Sequence, residues 1–333
     1  MKSFYFSVLM ALSFLMAMPI QAQQDKSLLI HFKDNTTKEI PVSQIDSISF
    51  DKEEAVPHFD ISIDDVHPLY VEFTVSPLLD RETTYNIMIV DKFNFDKYEN
   101  DEAVVADDLK FFQELADGYE VSLSEIIKQF LITGDFNDFH VGLLPDTEYV
   151  MWAYGLNADG TQTTPLQKVM FKTGKASHID NKIAINVRRT ASSIEATYTP
   201  DDNQLHYTAG LMSSKDALAE GLVPRKMQQA LSNQIADYVL GGEPLTMYLD
   251  ERTERGEGNA IFNGVDPAGK YFISAAYLDN ECCLCSEVTI VTSTPDGVKS
   301  VPSTKSFIQD NTTVKRQLSG KFQVMDQVRR LTK

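Results

Sequence analysis

Residues 142–160 read GLLPDTEYVMWAYGLNADG. Leu143, Pro145, Thr147 and Tyr149 recur at every second position, and the alternation then continues. Tyr149, Met151, Ala153 and Gly155 share one face; Val150, Trp152 and Tyr154 share the other. Period two over this length specifies a β-strand. Both faces of that strand are apolar, whereas an antiparallel sheet with one wet face alternates apolar with polar. A second layer must therefore cover Val150, Trp152 and Tyr154. Residues 85–90 repeat the pattern, with Tyr85, Ile87 and Ile89 facing one way and Met88 and Val90 the other. The chain must build a sheet covered on both sides.

Residues 157–160 read as a turn, and 166–173 as the next strand. The order is turn, tyrosine at a strand start, strand, Asn/Gly turn, strand. It resembles the fibronectin type III family, over the last strands of the domain. The resemblance implies that Tyr149 is a tyrosine corner, its hydroxyl bonded to backbone a few residues upstream. A weaker copy follows. VEFTVSP at 71–77 matches IEATYTP at 194–200, and Tyr85 matches Tyr207. Leu143-x-Pro145-x-Thr147-x-Tyr149 matches Val265-x-Pro267-x-Gly269-x-Tyr271, and KVMFKT at 168–173 matches EVTIVT at 287–292. The offset stays near about 120 residues, one domain length. Tyr271 is the second structural tyrosine, although Gly269 stands where the pattern has threonine.

Each copy carries a helical insertion. Val105, Leu109, Phe112 and Leu115 recur at helical spacing, with Gly118 as the expected stop. Ser122-x-x-Glu125 is a capping box. Leu123, Ile126, Ile127, Phe130 and Leu131 then form an apolar stripe before Gly134. In the second copy Pro224 suits a first helical turn. Met227, Leu231, Ile235 and Tyr238 form the stripe, and Gly241 ends it. The expected fold is mainly β: two tandem fibronectin type III-like β-sandwiches, over 56–175 and 176–296, each with an α-helical insertion packed on one sheet.

The flanks differ in kind. Residues 1–22 read as a signal peptide: Lys2 gives the charged start, 4–18 the apolar run, and Gln21-Ala22 precedes the cut. The apolar run is too short to span a bilayer, and the absence of a cysteine near the cut opposes a lipid anchor. An exported chain with no integral membrane segment follows, in the periplasm or at the cell surface. Residues 23–55 form a small β segment and a charged linker. Its pattern, SLLIHFKDNTTKEIPVSQIDSISF, resembles an N-terminal segment common in secreted proteins of Gram-negative gut and oral anaerobes. Residues 297–333 form a basic tail, with eight Lys/Arg against two Asp from Lys299 onward. Over the whole chain 48 acidic residues outweigh 30 basic ones, a net charge of −18. Nucleic acid and anionic membranes are poor partners for such a chain, since neutralising phosphate takes Lys and Arg.

Motifs that carry chemistry are scarce. Residues 264–270 match the letters of a phosphate-binding loop, but Tyr271 replaces the Mg²⁺-binding Ser/Thr and a strand follows instead of a helix. His31, His58, His67, His140, His178 and His206 are scattered, without the i, i+4 spacing of a helical zinc site. They read as surface or loop residues. Neither a nucleophile elbow nor a cofactor fingerprint is present. The acidic stretch 91–108 lacks the register of a Ca²⁺ loop and reads as solvated.

Cys282, Cys283 and Cys285 are the only cysteines. Adjacent and i, i+2 pairs are strained as disulfides. Their alternatives are a redox or soft-metal site or small buried apolar residues. Cys283 and Cys285 would share a strand face, with Cys282 pointing away.

The reading that emerges is an exported, non-enzymatic binding or adhesion protein with a protein or glycan ligand. Its contacts would lie on loop tips, and on Trp152 if that ring is exposed. Two other readings stand beside it: a glycan hydrolase with its site at the domain interface, and a structural subunit of a surface assembly.

Overall fold

The computed structural model describes residues 26–31, 35–45 and 56–301. The signal peptide, linker residues 51–55, the tail from 302 on, and Phe32, Asp34, Ile48 and Phe50 of the N-terminal segment lie outside the described residues. The chain divides into two units, up to Val56 and from Pro57. In the first, β1 (Ser27–His31) pairs antiparallel with β2 (Thr37–Pro41), Leu28 opposite Ile40.

The second unit holds both sandwiches. In the first sandwich, β3 (Phe59–Val66), β4 (Tyr70–Pro77) and β6 (Phe136–Val141) form one sheet. Strands β5 (Tyr85–Asp91), β7 (Glu148–Gly155) and β8 (Gln167–Lys172) form the other. The second sandwich repeats this order. Its β9 (Ile183–Arg189), β10 (Ser193–Pro200) and β12 (Gly258–Asn263) face β11 (Tyr207–Ser213), β13 (Tyr271–Tyr277) and β14 (Thr289–Thr294). All these pairings are antiparallel. Two such sheets face to face, with the middle strand of each flanked by one consecutive and one non-consecutive neighbour, are a fibronectin type III-like sandwich.

The matched copies agree residue by residue. Tyr85 bridges Ile132 where Tyr207 bridges Glu254, and Leu156 bridges Gln162 where Leu278 bridges Leu284. One expectation about extent fails. Residues 297–301, read as the start of the tail, form β15 (Gly297–Val301) and pair with β14. Gly297, at φ +138°, closes the two-residue turn that brings them back.

The helices lie between the third and fourth strands of each sandwich. In the first copy these are α1 (Lys92–Phe95), α2 (Asp101–Tyr119) and α3 (Leu123–Phe130). The register places Met88 beside Trp152 and Val90 beside Val150. All four are buried in one cluster with Val104, Val105, Phe112, Ile126 and Ile127 of the helices. The doubly apolar strand thus has its second layer. The capping box forms, with Ser122 and Glu125 each accepting from the other's backbone N–H. Helix α2 does not stop at Gly118. It runs on to a left-handed cap at Glu120 (φ 56°), whose N–H bonds the Ala116 and Asp117 carbonyls.

The second copy has α4 (Ser214–Ala217), α5 (Val223–Leu240) and α6 (Leu245–Arg252). Helix α5 ends at Gly241, and the left-handed residue is the next one, Gly242 (φ +96°). Helix α5 reaches further than its own sheet. Leu231 and Ile235, with Tyr248 of α6, share one buried cluster with Phe272, Ala276 and Ile290 of the second sandwich and with Leu69 and Val141 of the first. Tyr70 and Phe139 of the first sandwich pack on that cluster. A Cβ on Gly142 would meet the Ala236 Cβ at 3.3 Å. Helix α5 is therefore a shared layer between the two sandwiches. Among the described residues no helix is long and apolar enough to cross a membrane.

Candidate functional site

The two tyrosines singled out by the repeat occupy equivalent places. The Tyr149 hydroxyl accepts from the Leu144 N–H at 2.9 Å, and the Tyr271 hydroxyl from the Asp266 N–H at 2.7 Å. Each ring sits at the start of a strand and ties it to the turn five residues upstream, as a corner tyrosine does. Tyr149 is buried against Phe171, their rings stacked 5.6 Å apart. Tyr271 is half-buried, with the Arg189 guanidinium 5.6 Å from its ring.

Trp152 does not serve as a surface platform. It is 0% exposed, with Phe95 of α1 5.6 Å from its ring and its Nε1 donating to Asp108 Oδ2 of α2 at 2.9 Å. A binding platform needs an open ring face, and helices occupy this one. The same contacts explain the acidic stretch 91–108. Asp91 caps α1 by accepting from the Asn94 N–H, Asp101 pairs with Lys168 at 2.7 Å, and Asp107 accepts from the Tyr98 hydroxyl. These carboxylates cap and dock helices, so the stretch is not the solvated loop its composition suggests.

The cysteines lie in the turn between β13 and β14, and the first copy shows why. Asn157 N–H bonds Thr161 O in one turn, and Asp279 N–H bonds Cys283 O in the other. Gly160 (φ +88°) and Cys282 (φ 63°) take the same left-handed position. Cys282 and Cys283 pack in the layer beneath α5 and α6, while Cys285 belongs to the core between the sheets. The expected sharing of one strand face by Cys283 and Cys285 therefore fails, because the chain is turning there. All three thiols are free and buried. Burial, then the charge of Asp279, pushes Cys282 up to about 12 and Cys285 up to about 11; Cys283 is raised by the same causes. Metal binding and redox attack need the thiolate, which this setting disfavours. Among the described residues no group of three or more His, Cys, Asp or Glu is placed to hold a metal ion.

Two histidines depart from the surface reading. His140 is wholly buried on β6, opposite Val71. His206, before β11, is held from both sides. Its Nδ1 lies 2.7 Å from Thr253 Oγ1, and its Nε2 accepts from Arg255 Nε at 2.8 Å. Arg255 also donates to Asp250 at 2.7 Å. An Nε2 that accepts from a guanidinium must carry a lone pair, so the proton sits on Nδ1. Burial and Arg255 lower the His206 pKa, against a smaller opposing effect of Asp250. Both nitrogens are thus engaged and the ring is neutral. Sequence spacing gave no sign of this group, since its members are far apart along the chain.

Residues 264–270 form a turn rather than a phosphate cradle. The Gly269 N–H bonds the Asp266 carbonyl, and the Ala268 N–H bonds the Asp266 side chain. On α5 the buried polar side chains Gln228 and Ser232 bond each other, and Gln228 Oε1 accepts from the Leu284 N–H of the second sandwich at 2.9 Å.

No protein-family model and no curated protein matches the sequence. Among solved structures the chain is similar to the FN1–FN3 domains of chicken CNTN1, at 9% identity over 74% of this chain and 66% of that one, with a TM-score of 0.21. It is also similar to a segment of two fibronectin type III domains from chicken tenascin, at 11% identity over 73% of this chain and 98% of that one, with a TM-score of 0.20.

Proposed function

We infer that this chain is an exported, non-enzymatic binding or adhesion protein that presents the loop tips of two coupled sandwiches to a protein or glycan ligand. One observation carries the reading. The side chains best suited to chemistry are engaged in holding the fold: His206 through both nitrogens, Asp108 on Trp152, and the three cysteines inside packed layers. A rigid scaffold that spends its reactive groups internally and leaves its loops outside is suited to recognition. Export rests on the leader pattern of residues 1–22, and the acidic balance disfavours nucleic acid as the ligand.

The test takes the chain without residues 1–22 and screens it against immobilised glycans and host-surface proteins, with product release monitored in parallel. Retention of a ligand without turnover is the expected result. Release of product that disappears on changing a single carboxylate would overturn the reading in favour of a hydrolase.

A further inference from the structure

The two copies close the same strand end by different means. In each, one backbone bridge joins the start of the edge strand to the segment that leads into the facing sheet: Tyr85 with Ile132, and Tyr207 with Glu254. In the first copy the groups around the bridge do not titrate near neutral pH. Ile132 is buried, Thr84 Oγ1 donates to the Leu156 carbonyl at 2.8 Å, and the Tyr85 hydroxyl donates to the Gly134 carbonyl at 2.7 Å. In the second copy Glu254 is exposed, and the buried Tyr207 hydroxyl has no hydrogen-bond partner among the described residues. His206 stands where Thr84 does, and Arg255 where Thr133 does.

His206 supplies the tie instead. Thr253 Oγ1 donates its proton to the Leu249 carbonyl, so it accepts from His206 Nδ1–H. Nε2 keeps a lone pair and accepts from Arg255 Nε at 2.8 Å, with Arg255 Nη2 against the same nitrogen. Arg255 Nη2 also donates to Asp250 Oδ1 at 2.7 Å, and that oxygen lies 3.4 Å from His206 Nε2. The other charged groups of the adjoining turns, strand and helix are engaged elsewhere. Asp201 and Asp202 accept from the Lys182 and Gln204 N–H groups, and Asp279 from those of Ser177 and Cys283. Glu251 and Arg252 both meet Tyr238, and Glu254 meets β11 through its backbone.

A second proton on this ring must go to Nε2. The imidazolium then aims an N–H at the N–H groups of a guanidinium, donor against donor and cation against cation. The acceptor within reach is Asp250 Oδ1, the oxygen that Arg255 already holds. Two cations therefore compete for one carboxylate, and Arg255, whose side chain is half exposed, is the one that can swing into water. Burial and the guanidinium lower the His206 pKa, against a smaller opposing effect of Asp250, so the exchange of partners falls on the acid side of about pH 6.5.

We propose that His206 is an acid-operated latch on the edge of β11. Neutral, it holds Arg255 and keeps residues 254–257 closed on the strand. Protonated, it takes Asp250 and releases Arg255, and the segment lifts from Tyr207 while the bond to Thr253 keeps the end of α6 in place. The first sandwich has Thr84 at the matching position, so one of the two strand ends responds to acid and the other does not. An opened strand end offers unpaired backbone N–H and C=O groups, so mild acid makes this edge available for pairing.

Hydrogen exchange on the full chain at about pH 7 and about pH 5 tests it. The peptide spanning 253–257 is read against the matching peptide 131–135 in the same sample, which cancels the pH dependence of the exchange chemistry itself. In the native chain the ratio of their rates is expected to rise about tenfold in acid, with peptides of β13 unchanged. In His206→Gln, whose amide oxygen accepts from Arg255 at either pH, the ratio should stay flat. A flat ratio in the native chain, an equal rise in His206→Gln, or loosening of β13 together with 253–257 would each overturn the proposal. If His206→Gln does not fold, Asp250→Asn decides. Without the carboxylate that receives the imidazolium the rise must move to lower pH, and a midpoint that stays in place removes the latch.

Discussion

The corner tyrosines are a matched pair in unequal surroundings. Removing the buried Tyr149 hydroxyl leaves the part-buried Leu144 N–H without its partner, so Tyr149→Phe should cost about 1–3 kcal/mol. Asp266 is exposed and water can replace the lost bond, so Tyr271→Phe should cost only about 0.5–1.5 kcal/mol. Urea unfolding of the two variants measures the difference, and equal costs would contradict the burial argument. His206 yields a pH prediction with a definite sign. Its folded pKa lies below the ordinary value of about 6.5, because burial and Arg255 disfavour the imidazolium. The unfolded chain then binds the proton more readily than the folded one, so stability is full above the ordinary value and declines as pH falls through it towards the folded value. His206→Gln should flatten the unfolding midpoint between about pH 7 and pH 5, and an unaltered slope would remove His206 as its source.

At the level of elements, α2 carries two residues that work against it. Glu120 occupies a left-handed position, which costs a residue with a Cβ about 1 kcal/mol. Gly118 lies inside the helix with open space where a Cβ would sit. Glu120→Gly should therefore stabilise the protein by about 1 kcal/mol, and Gly118→Ala by about 0.5–1 kcal/mol, as read by thermal unfolding. The order of these residues also shows what was legible in the sequence. The period-two run at 149–155 and the stripe with its capping box at 122–131 are local signals, and both elements formed where local chemistry put them. The helix end is not where the glycine alone predicts it, because packing of Ala116 and Tyr119 carries the helix one residue past Gly118. Strand β15 was hidden because its identity comes from pairing with β14, which a basic, polar segment does not announce. The cysteines were ambiguous for the same reason. Only the equivalence of Cys282 with Gly160 exposes them as turn residues, and that equivalence is a matter of backbone angle.

For the whole molecule, the decisive fact is that one helix serves two cores. Helix α5 presents Leu231 and Ile235 in the cluster that also holds Val141 and Leu69 of the first sandwich, and Ala236 faces Gly142. Buried apolar contact of this kind makes two modules unfold together, since exposing either side uncovers the shared layer. The chain carries its own reporters for this. Trp152 is the sole tryptophan and lies within the first sandwich, while Cys282, Cys283 and Cys285 are the only thiols and lie within the second. In urea, the shift of Trp152 fluorescence and the onset of thiol labelling should share one midpoint in the native chain. Ala236→Glu forces a charge against Gly142 with no room for it, and burying an unpaired carboxylate costs several kcal/mol. The variant should separate the two midpoints, the thiols becoming reactive while Trp152 is still enclosed by α1 and α2. Midpoints that stay together in Ala236→Glu would mean that the sandwiches are coupled through the connection at 173–182 instead, where Ser177 bonds Asp279 and Ile179 bonds Cys285.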